Sequence, residues 1–303
     1  MTTAITTADL TKFYGKHRGV VNLNLEIRDG EAFGLLGPNG AGKTTCIRLF
    51  LDFIHPSTGS ATIFGLDSQT DSVQIKNLTG YLPGEFLTYE HMTVFDLLLY
   101  FANMRDGKLE RAYELASRFD LDLTRKIGEL SRGNRQKVGL VQAFMSNPRL
   151  LILDEPSTGL DPLLQQEFHK LVTEEIETGK TVFVSSHVLS EVEVICDRVG
   201  IIRDGSIITV EEVATLRERA LTRVDIEFGE PVTPADFENI SGTTNIEIDD
   251  YRLTCNVTGS IDPLIKKAAS KTVTRIQSGQ PGLEELFLAY YSENDETGGS
   301  DAP

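Results

Sequence analysis

The sequence predicts an α/β fold followed by a small α+β domain, on three observations. A short apolar run over residues 31–36 leads into a glycine-rich loop and then a helical stretch over 44–53. Two further apolar runs, 150–153 and 181–184, end in the polar residues Asp154-Glu155-Pro156 and Ser185-Ser186-His187. Beyond about residue 217 the pattern changes to short alternating strands. Continuous apolar runs of this length read as buried strands, and in an open α/β sheet ligands sit beyond the carboxyl ends of the strands. Chemistry is therefore expected at those polar ends.

In chain order, residues 4–10 and 21–27 alternate apolar and polar, the second as Val21, Leu23, Leu25 and Ile27, which marks half-buried antiparallel strands. Between them lies Lys12-Phe13-Tyr14-Gly15-Lys16. An aromatic just ahead of a phosphate loop either stacks on a purine base or closes the core at a strand end. The residues alone leave both readings open for Tyr14. Next comes Gly37-Pro38-Asn39-Gly40-Ala41-Gly42-Lys43-Thr44-Thr45, which fits the phosphate-binding pattern G-x-x-x-x-G-K-[ST]. A di- or triphosphate is dense in negative charge, so its site needs many donors converging with no side chains in the way. Gly37, Gly40 and Gly42 let backbone N–H groups close around the phosphate oxygens, and the following helix presents its positive end. Lys43 supplies a mobile charge at the β/γ-phosphates, and the Thr44 hydroxyl is placed to hold Mg²⁺. Every residue from Gly37 to Thr45 is a nucleotide-binding candidate.

Residues 68–147 read as mostly helical. Phe95, Leu98, Leu99 and Ala102 share one face, Leu115 and Phe119 continue on the next helix, and a third helix spans 136–145. Just before the third helix, Leu130-Ser131-Arg132-Gly133-Asn134 either caps it or binds an anion through Ser131 and exposed N–H groups. At the end of the run 150–153, successive strand residues point oppositely, which allows two roles. Asp154 would hold Mg²⁺, and Glu155 would polarise a water aimed at the γ-phosphate. Gly159-Leu160-Asp161-Pro162 starts a helix, with Asp161 at the N-cap and Pro162 in the first turn. His187 either donates to a γ-phosphate or is a satisfied loop histidine. Residues 201–209 form a hairpin about Arg203-Asp204-Gly205-Ser206, and 211–220 a helix. In the tail, Val224, Ile226 and Phe228 alternate, as do Ile246 and Ile248, then Leu253, Cys255 and Val257, then Val273 and Ile276 less regularly. Helices are expected at 234–239, 262–269 and 283–291, and the acidic stretch 292–303 is expected to be disordered. The tail carries no catalytic constellation.

Composition narrows the function classes. With 303 residues, 40% of them hydrophobic, the chain can build a large domain and a smaller one. A net charge of −16 and a pI near 4.8 argue against binding DNA or RNA, where affinity comes from neutralising phosphates. Cys46, Cys196 and Cys255 form no C-x-x-C pair, which fits a reduced intracellular protein without a structural zinc. No apolar run approaches the ~20 residues that span a bilayer, and the N-terminus lacks signal-peptide blocks.

The order of these motifs resembles that of the ATP-binding cassette family, the nucleotide-binding subunits of ABC transporters, over about residues 4–217. The resemblance implies a P-loop NTPase cassette over 1–217, with a RecA-like core and antiparallel β and helical subdomains, the helical one at about 85–147. It also implies a small α+β accessory domain over 218–291, similar to the tail of cassettes paired with drug or antibiotic exporters. Tyr14 then matches the aromatic that stacks on adenine, the loop from Gly37 to Thr45 the Walker A loop, and Asp154 and Glu155 the Walker B strand end with its catalytic glutamate. His187 matches the switch histidine, and Ser157 to Asp161 the D-loop, with Asp161 counted among the nucleotide-binding residues. Leu130 to Asn134 matches the family signature, in which Ser131 and Gly133 are the usual γ-phosphate contacts. There are two departures. Arg132 and Asn134 replace the usual signature residues. Gly84, in Tyr81-Leu82-Pro83-Gly84-Glu85, stands where the family places a glutamine that reaches toward Mg²⁺ and couples the site to the membrane partner, so Gly84 takes no metal role.

In that family the signature lies too far from its own phosphate loop to touch the same nucleotide, so two cassettes pair head to tail around two ATP molecules. The resemblance implies an ATPase using ATP and Mg²⁺, paired as a homodimer beneath an integral-membrane permease at the cytoplasmic face of the cell membrane and driving solute export. The alternative is a soluble cassette protein acting on ribosomes or nucleic-acid ends. The single cassette, the lack of sustained heptads and the negative charge weigh against it. A GTP-using switch is disfavoured because no Asn-Lys-x-Asp element is present.

Overall fold

The computed structural model describes residues 2–279 apart from 87–88, 106–108, 220 and 238–239. It divides into two units, Met1–Glu211 and Glu212–Pro303. The first unit opens with an antiparallel pair, β1 (Thr3–Tyr14) and β2 (His17–Arg28). β2 keeps its alternation over Leu23, Leu25 and Ile27, but Asn22 has φ of +48° and Val20 is the fully buried residue there, with Val21 only half-buried. β1 breaks its alternation at Asp9, where φ is +46° and the register slips between Thr7 and Leu10. The freed Asp9 N–H donates to Asn24 Oδ1 at 2.9 Å.

β3 (Ala32–Leu36) leads through the glycine-rich loop into α1 (Lys43–Phe50). β4 (Thr58–Ile63) and β5 (Leu66–Asp67) complete a four-stranded sheet in the order β2-β1-β4-β5. Then follow α2 (Ser72–Leu78), β6 (Thr79–Leu82), α3 (Val94–Met104), α4 (Glu110–Arg118) and α5 (Arg132–Phe144). The chain returns to the core with β7 (Leu150–Asp154), α6 (Pro162–Glu177), β8 (Thr181–Ser186), α7 (Leu189–Ile195), β9 (Arg198–Arg203) and β10 (Ser206–Glu212).

The central sheet has six strands in the order β10-β9-β3-β8-β7-β6. From β9 to β6 every pairing is parallel. All residues of β3, β7 and β8 are buried, which is why these segments read as unbroken apolar runs. Phe33 stacks on Phe183 at 6.1 Å, and Phe50 of α1 meets Phe183 edge-on at 5.6 Å. Each such buried ring contributes about 1.5–3 kcal/mol, so the helix behind the glycine loop is pinned to the middle of the sheet.

Residues 68–147 are not wholly helical. β6 pairs with β7 from Thr79↔Leu150 to Leu82↔Leu153. A four-residue strand is too short to show a period, and α5 crosses so close that a Cβ on Gly80 would stand 2.0 Å from Ala143 O. The apolar face of α3 is Val94, Leu97, Leu98 and Ala102, with Phe95 and Leu99 only half-buried. A capping box between Thr93 and Asp96 sets where that helix begins. α5 starts at Arg132 rather than at 136, because Ser131 Oγ accepts the Asn134 N–H at 3.3 Å and caps it there. The predicted helix at 44–53 ends at Phe50.

The second unit begins with α8 (Val213–Arg219) and contains β11 (Leu221–Phe228), β12 (Thr243–Asp249), β13 (Arg252–Thr258), α9 (Asp262–Ala268) and β14 (Val273–Ser278). Its sheet runs β12-β13-β11-β14, all antiparallel. Val224, Ile226, Phe228, Leu253, Cys255 and Val257 form its core, as their alternation requires, while Ile276 on the edge strand is 45% exposed. The helix expected at 234–239 is a single 3₁₀ turn, Pro234–Asp236, in its described part. The expected helix at 283–291 and the acidic tail at 292–303 lie outside the described residues.

Candidate functional site

The loop after β3 is shaped by close backbone packing. Gly40 and Gly42 have φ of +83° and +112°, and a Cβ on Gly42 would stand 2.8 Å from Gly19 O. The β9–β10 turn braces the loop from behind: Gly205 N–H donates to Ala41 O at 2.9 Å, and Val21 N–H donates to Gly205 O at 2.8 Å. Gly42 caps α1 without any side-chain acceptor, so the first N–H groups of α1 keep their capacity for an anion.

Lys43 is 6% exposed, and its Nζ donates to Gly37 O at 2.7 Å and Pro38 O at 3.2 Å. The same ammonium lies 3.1 Å from Glu155 Oε1, a charge-to-charge contact in which Oε1 accepts no hydrogen bond. Glu155 Oε2 meets His187 Nδ1 at 2.5 Å. Asp154, 2% exposed, accepts from Thr44 Oγ1 at 2.9 Å through Oδ2 and from Ser185 Oγ through Oδ1. This buried anion is felt nearby: burial first, and the Asp154 charge second, push the Tyr81 phenol up to about 12. Burial beneath the loop pushes the Cys46 thiol up to about 12 as well.

The expectation that Asp154 and Glu155 diverge as neighbours on one strand needs correcting. β7 ends at Asp154, and Glu155 lies beyond it with φ of +51°, its N–H donating to Ser185 O at 3.1 Å. The left-handed turn, rather than strand alternation, separates the two carboxylates.

Lys43, Thr44 and Glu155 line a pocket of about 240 Å³, while Asp154 and His187 adjoin it through Thr44 and Glu155 without lining it. Among its lining residues are Tyr14, Asn39, Gly40, Gly42, Lys43, Thr44, Thr45 and Glu155, all singled out from the sequence. Tyr14 is 42% exposed at the rim, which removes the reading of a core aromatic. Arg18 and Gly19 also line the pocket and were missed. No motif marks them. The β1–β2 register, which sets Phe13 opposite Arg18, brings them beside Tyr14, and Arg18 pairs with Asp204 at 3.2 Å. The glycine cradle with its buried lysine suits a polyphosphate. The adjoining Thr44 hydroxyl and Asp154 carboxylate form a hard-oxygen pair that suits Mg²⁺.

A family model described as ABC transporter matches residues 20–158. The bacitracin transport ATP-binding protein of Bacillus licheniformis is 35% identical over 75% of either chain, and that of Enterococcus faecalis 30% identical over 93% of this chain and 94% of its own. The chain belongs to the ABC transporter family. It is an ATP-binding cassette with the P-loop NTPase fold, and an ATPase. A solved structure described as the ATP-binding subunit of an ABC transporter superposes with a TM-score of 0.65 at 29% identity, over 71% of this chain and 92% of that one. A dimeric cassette in a post-hydrolysis state with ADP and phosphate gives 0.63 at 24% identity over 69% and 98%, a likeness of fold.

Within this ABC cassette the remaining candidates lie elsewhere. Ser131 caps α5 and Asp161 caps α6, where Oδ1 accepts from Leu163 N and Leu164 N at 3.0 Å each. Neither they nor Gly133 line the pocket around Lys43. Gly133 packs instead on the D-loop: a Cβ there would stand 2.8 Å from Gly159 O. At Gly84 a Cβ would lie 3.6 Å from the Asp154 carboxylate, so a long polar side chain would reach that acid and glycine leaves none. Glu85 lines a separate cleft of about 210 Å³ with Gly84, Phe86, Arg132, Arg135 and Gln136.

Proposed function

We propose that this chain hydrolyses ATP as one of two identical cassettes closed around two nucleotides, and that closure and release drive solute export through a separate integral-membrane permease at the cytoplasmic face. The observation that carries the two-copy reading is the division of the candidates. Thr44 with Asp154, Lys43 with Glu155, and Glu155 with His187 are joined by direct contacts at the pocket in one chain, while Ser131 and Gly133 neither line the pocket nor take part in those contacts. A second chain would supply them.

In this reading Tyr14 stacks on adenine, and the N–H groups from Gly37 to Thr45 wrap the phosphates. Lys43 leaves Glu155 for the β/γ-phosphates, which frees the carboxylate it was neutralising. Glu155 then accepts the proton of the attacking water, and His187, already within hydrogen-bond reach of Glu155, donates toward the γ-phosphate. Mg²⁺, held at Thr44 and Asp154, would neutralise charge on the phosphate oxygens. Tyr14→Ala is expected to weaken ATP binding by about 1–3 kcal/mol, with Tyr14→Phe close to wild type. Equal ATP titrations for wild type and Tyr14→Ala would remove the stacking role.

Export is supported by the relatives' printed roles in bacitracin transport and by the linearmycin resistance ATP-binding protein of Bacillus subtilis, 28% identical over 92% of this chain. Among the described residues no helix is long and apolar enough to cross a membrane, so the path for solute would belong to a partner. The cleft at Gly84 and Phe86 opens next to Asp154 and offers that partner a seat in touch with the catalytic strand. Isolating the tagged chain from host membranes and identifying what accompanies it tests the proposal. An integral-membrane polypeptide is expected, and ribosomes in its place would overturn it.

A further inference from the structure

Glu191 belongs to none of the motifs above, yet its carboxylate joins two of them. Oε2 accepts from Ser186 Oγ at 2.8 Å, and Oε1 accepts from Ser157 Oγ in a very short contact. Ser186 immediately precedes His187, and Ser157 opens the D-loop. Both serines are buried, at 0% and 3% exposure. A carboxylate has two oxygens and here spends one on each loop, in charge-assisted bonds that are about twice as strong as neutral ones. Ser186 Oγ is also anchored locally, accepting the Val188 N–H at 2.9 Å. Glu191 is the acceptor of the buried Ser157 hydroxyl, so moving the D-loop alone would strip that hydroxyl of its partner. Glu191 thus ties the D-loop to the segment before His187.

On its other side the D-loop touches the start of α5. Gln136 Nε2 donates to Pro156 O at 3.0 Å, and Gly133 is in backbone contact with Gly159. A path of hydrogen bonds and short chain segments therefore runs from Ser186, next to His187, through Glu191 to Ser157, and along the D-loop to Gly159 and Gly133. One end of this path is at the pocket around Lys43, and the other is at the signature.

We propose that Glu191 is a positioning residue that ties the His187 segment to the D-loop, and through it to the signature, so that the state of one nucleotide site sets how the same chain grips the nucleotide of its partner. The inference rests on the two-copy reading above. Glu191 touches no nucleotide in this scheme. It transmits the position of groups that do.

The test uses the full chain as wild type, Glu191→Ala, Glu191→Gln, Ser157→Ala and the Glu191→Ala/Ser157→Ala double variant. The readouts are thermal melting, ATP affinity of the single chain without Mg²⁺, kcat, and the Hill coefficient of turnover against ATP. Glu191→Ala is expected to melt somewhat lower than wild type, because the buried Ser157 hydroxyl loses its acceptor, yet to remain folded and bind ATP like wild type at the assay temperature. Its kcat should fall about 2- to 30-fold and its cooperativity drop to that of independent sites. Ser157→Ala should match it, and the double variant should be no worse, because the same link is cut once. Glu191→Gln keeps two polar atoms at the junction and should regain most of the turnover. If Glu191→Ala proves unfolded, Glu191→Gln and Ser157→Ala still carry the comparison. Wild-type kcat and cooperativity in the variants, or additive losses in the double variant, overturn the role of Glu191. A wild-type chain that turns over as a monomer overturns the two-copy reading and this inference with it, which separates the two failures.

Discussion

Glu155→Gln is expected to lower steady-state ATP turnover by about 10²–10⁴-fold while ATP binding is retained and a nucleotide-loaded dimer accumulates. The substitution is nearly isosteric, so the left-handed turn at Glu155 and the N–H bond to Ser185 have no reason to change. What disappears is the proton acceptor beside His187. In the nucleotide-free chain the carboxylate also competes with phosphate for Lys43, at 3.1 Å. An amide competes less, so ATP affinity should be no weaker than wild type. Phosphate release and size-exclusion chromatography in ATP check both parts. A variant that hydrolyses at the wild-type rate would take Glu155 out of the general-base role.

Lys43→Met should fail differently. Each charge-assisted bond to phosphate contributes about 1.5–3 kcal/mol, so ATP binding is expected to weaken by about tenfold to a hundredfold or more. A second effect comes from the pairing seen in the structure. Glu155 is only 18% exposed and its Oε1 accepts no hydrogen bond, so removing the ammonium leaves a largely buried carboxylate oxygen without compensation. Denaturant unfolding without nucleotide should show a loss of about 1–3 kcal/mol. Adding Glu155→Gln to Lys43→Met should restore much of that stability and none of the ATP binding. If the double variant is as unstable as Lys43→Met alone, the ion pair does not hold the empty site in the way described.

Several parts of this molecule were legible because their causes are local. A phosphate loop needs left-handed backbone and bare Cα positions at adjacent residues, so Gly40, Gly42 and Lys43 announce it in one short stretch. Strands buried on both faces announce themselves as unbroken apolar runs, as in β3, β7 and β8. Where the cause is a neighbour distant in sequence, reading failed. β6 is a strand because β7 lies beside it, and its four residues carry no period of their own. The inward stripe of α3 was read in part: Leu98 and Ala102 are buried as expected, but Val94 and Leu97 complete the face in place of Phe95 and Leu99, because the elements packed on the helix decide which side turns inward.

The amino-acid order by itself determined the kind of fold, the family, and the groups that would handle a nucleotide, because each of those is written in contiguous residues whose backbone or burial demands are satisfied within a few positions. Which groups actually meet was decided only in three dimensions. Thr44 reaches Asp154 across 110 residues, Arg18 arrives at the pocket through the β1–β2 register, and Glu191 finds Ser157 and Ser186 because α7 packs beside both loops. The physical reason is that strand order β9-β3-β8-β7 is chosen by the joint burial of all the strands and helices, a global free energy that no single stretch contains.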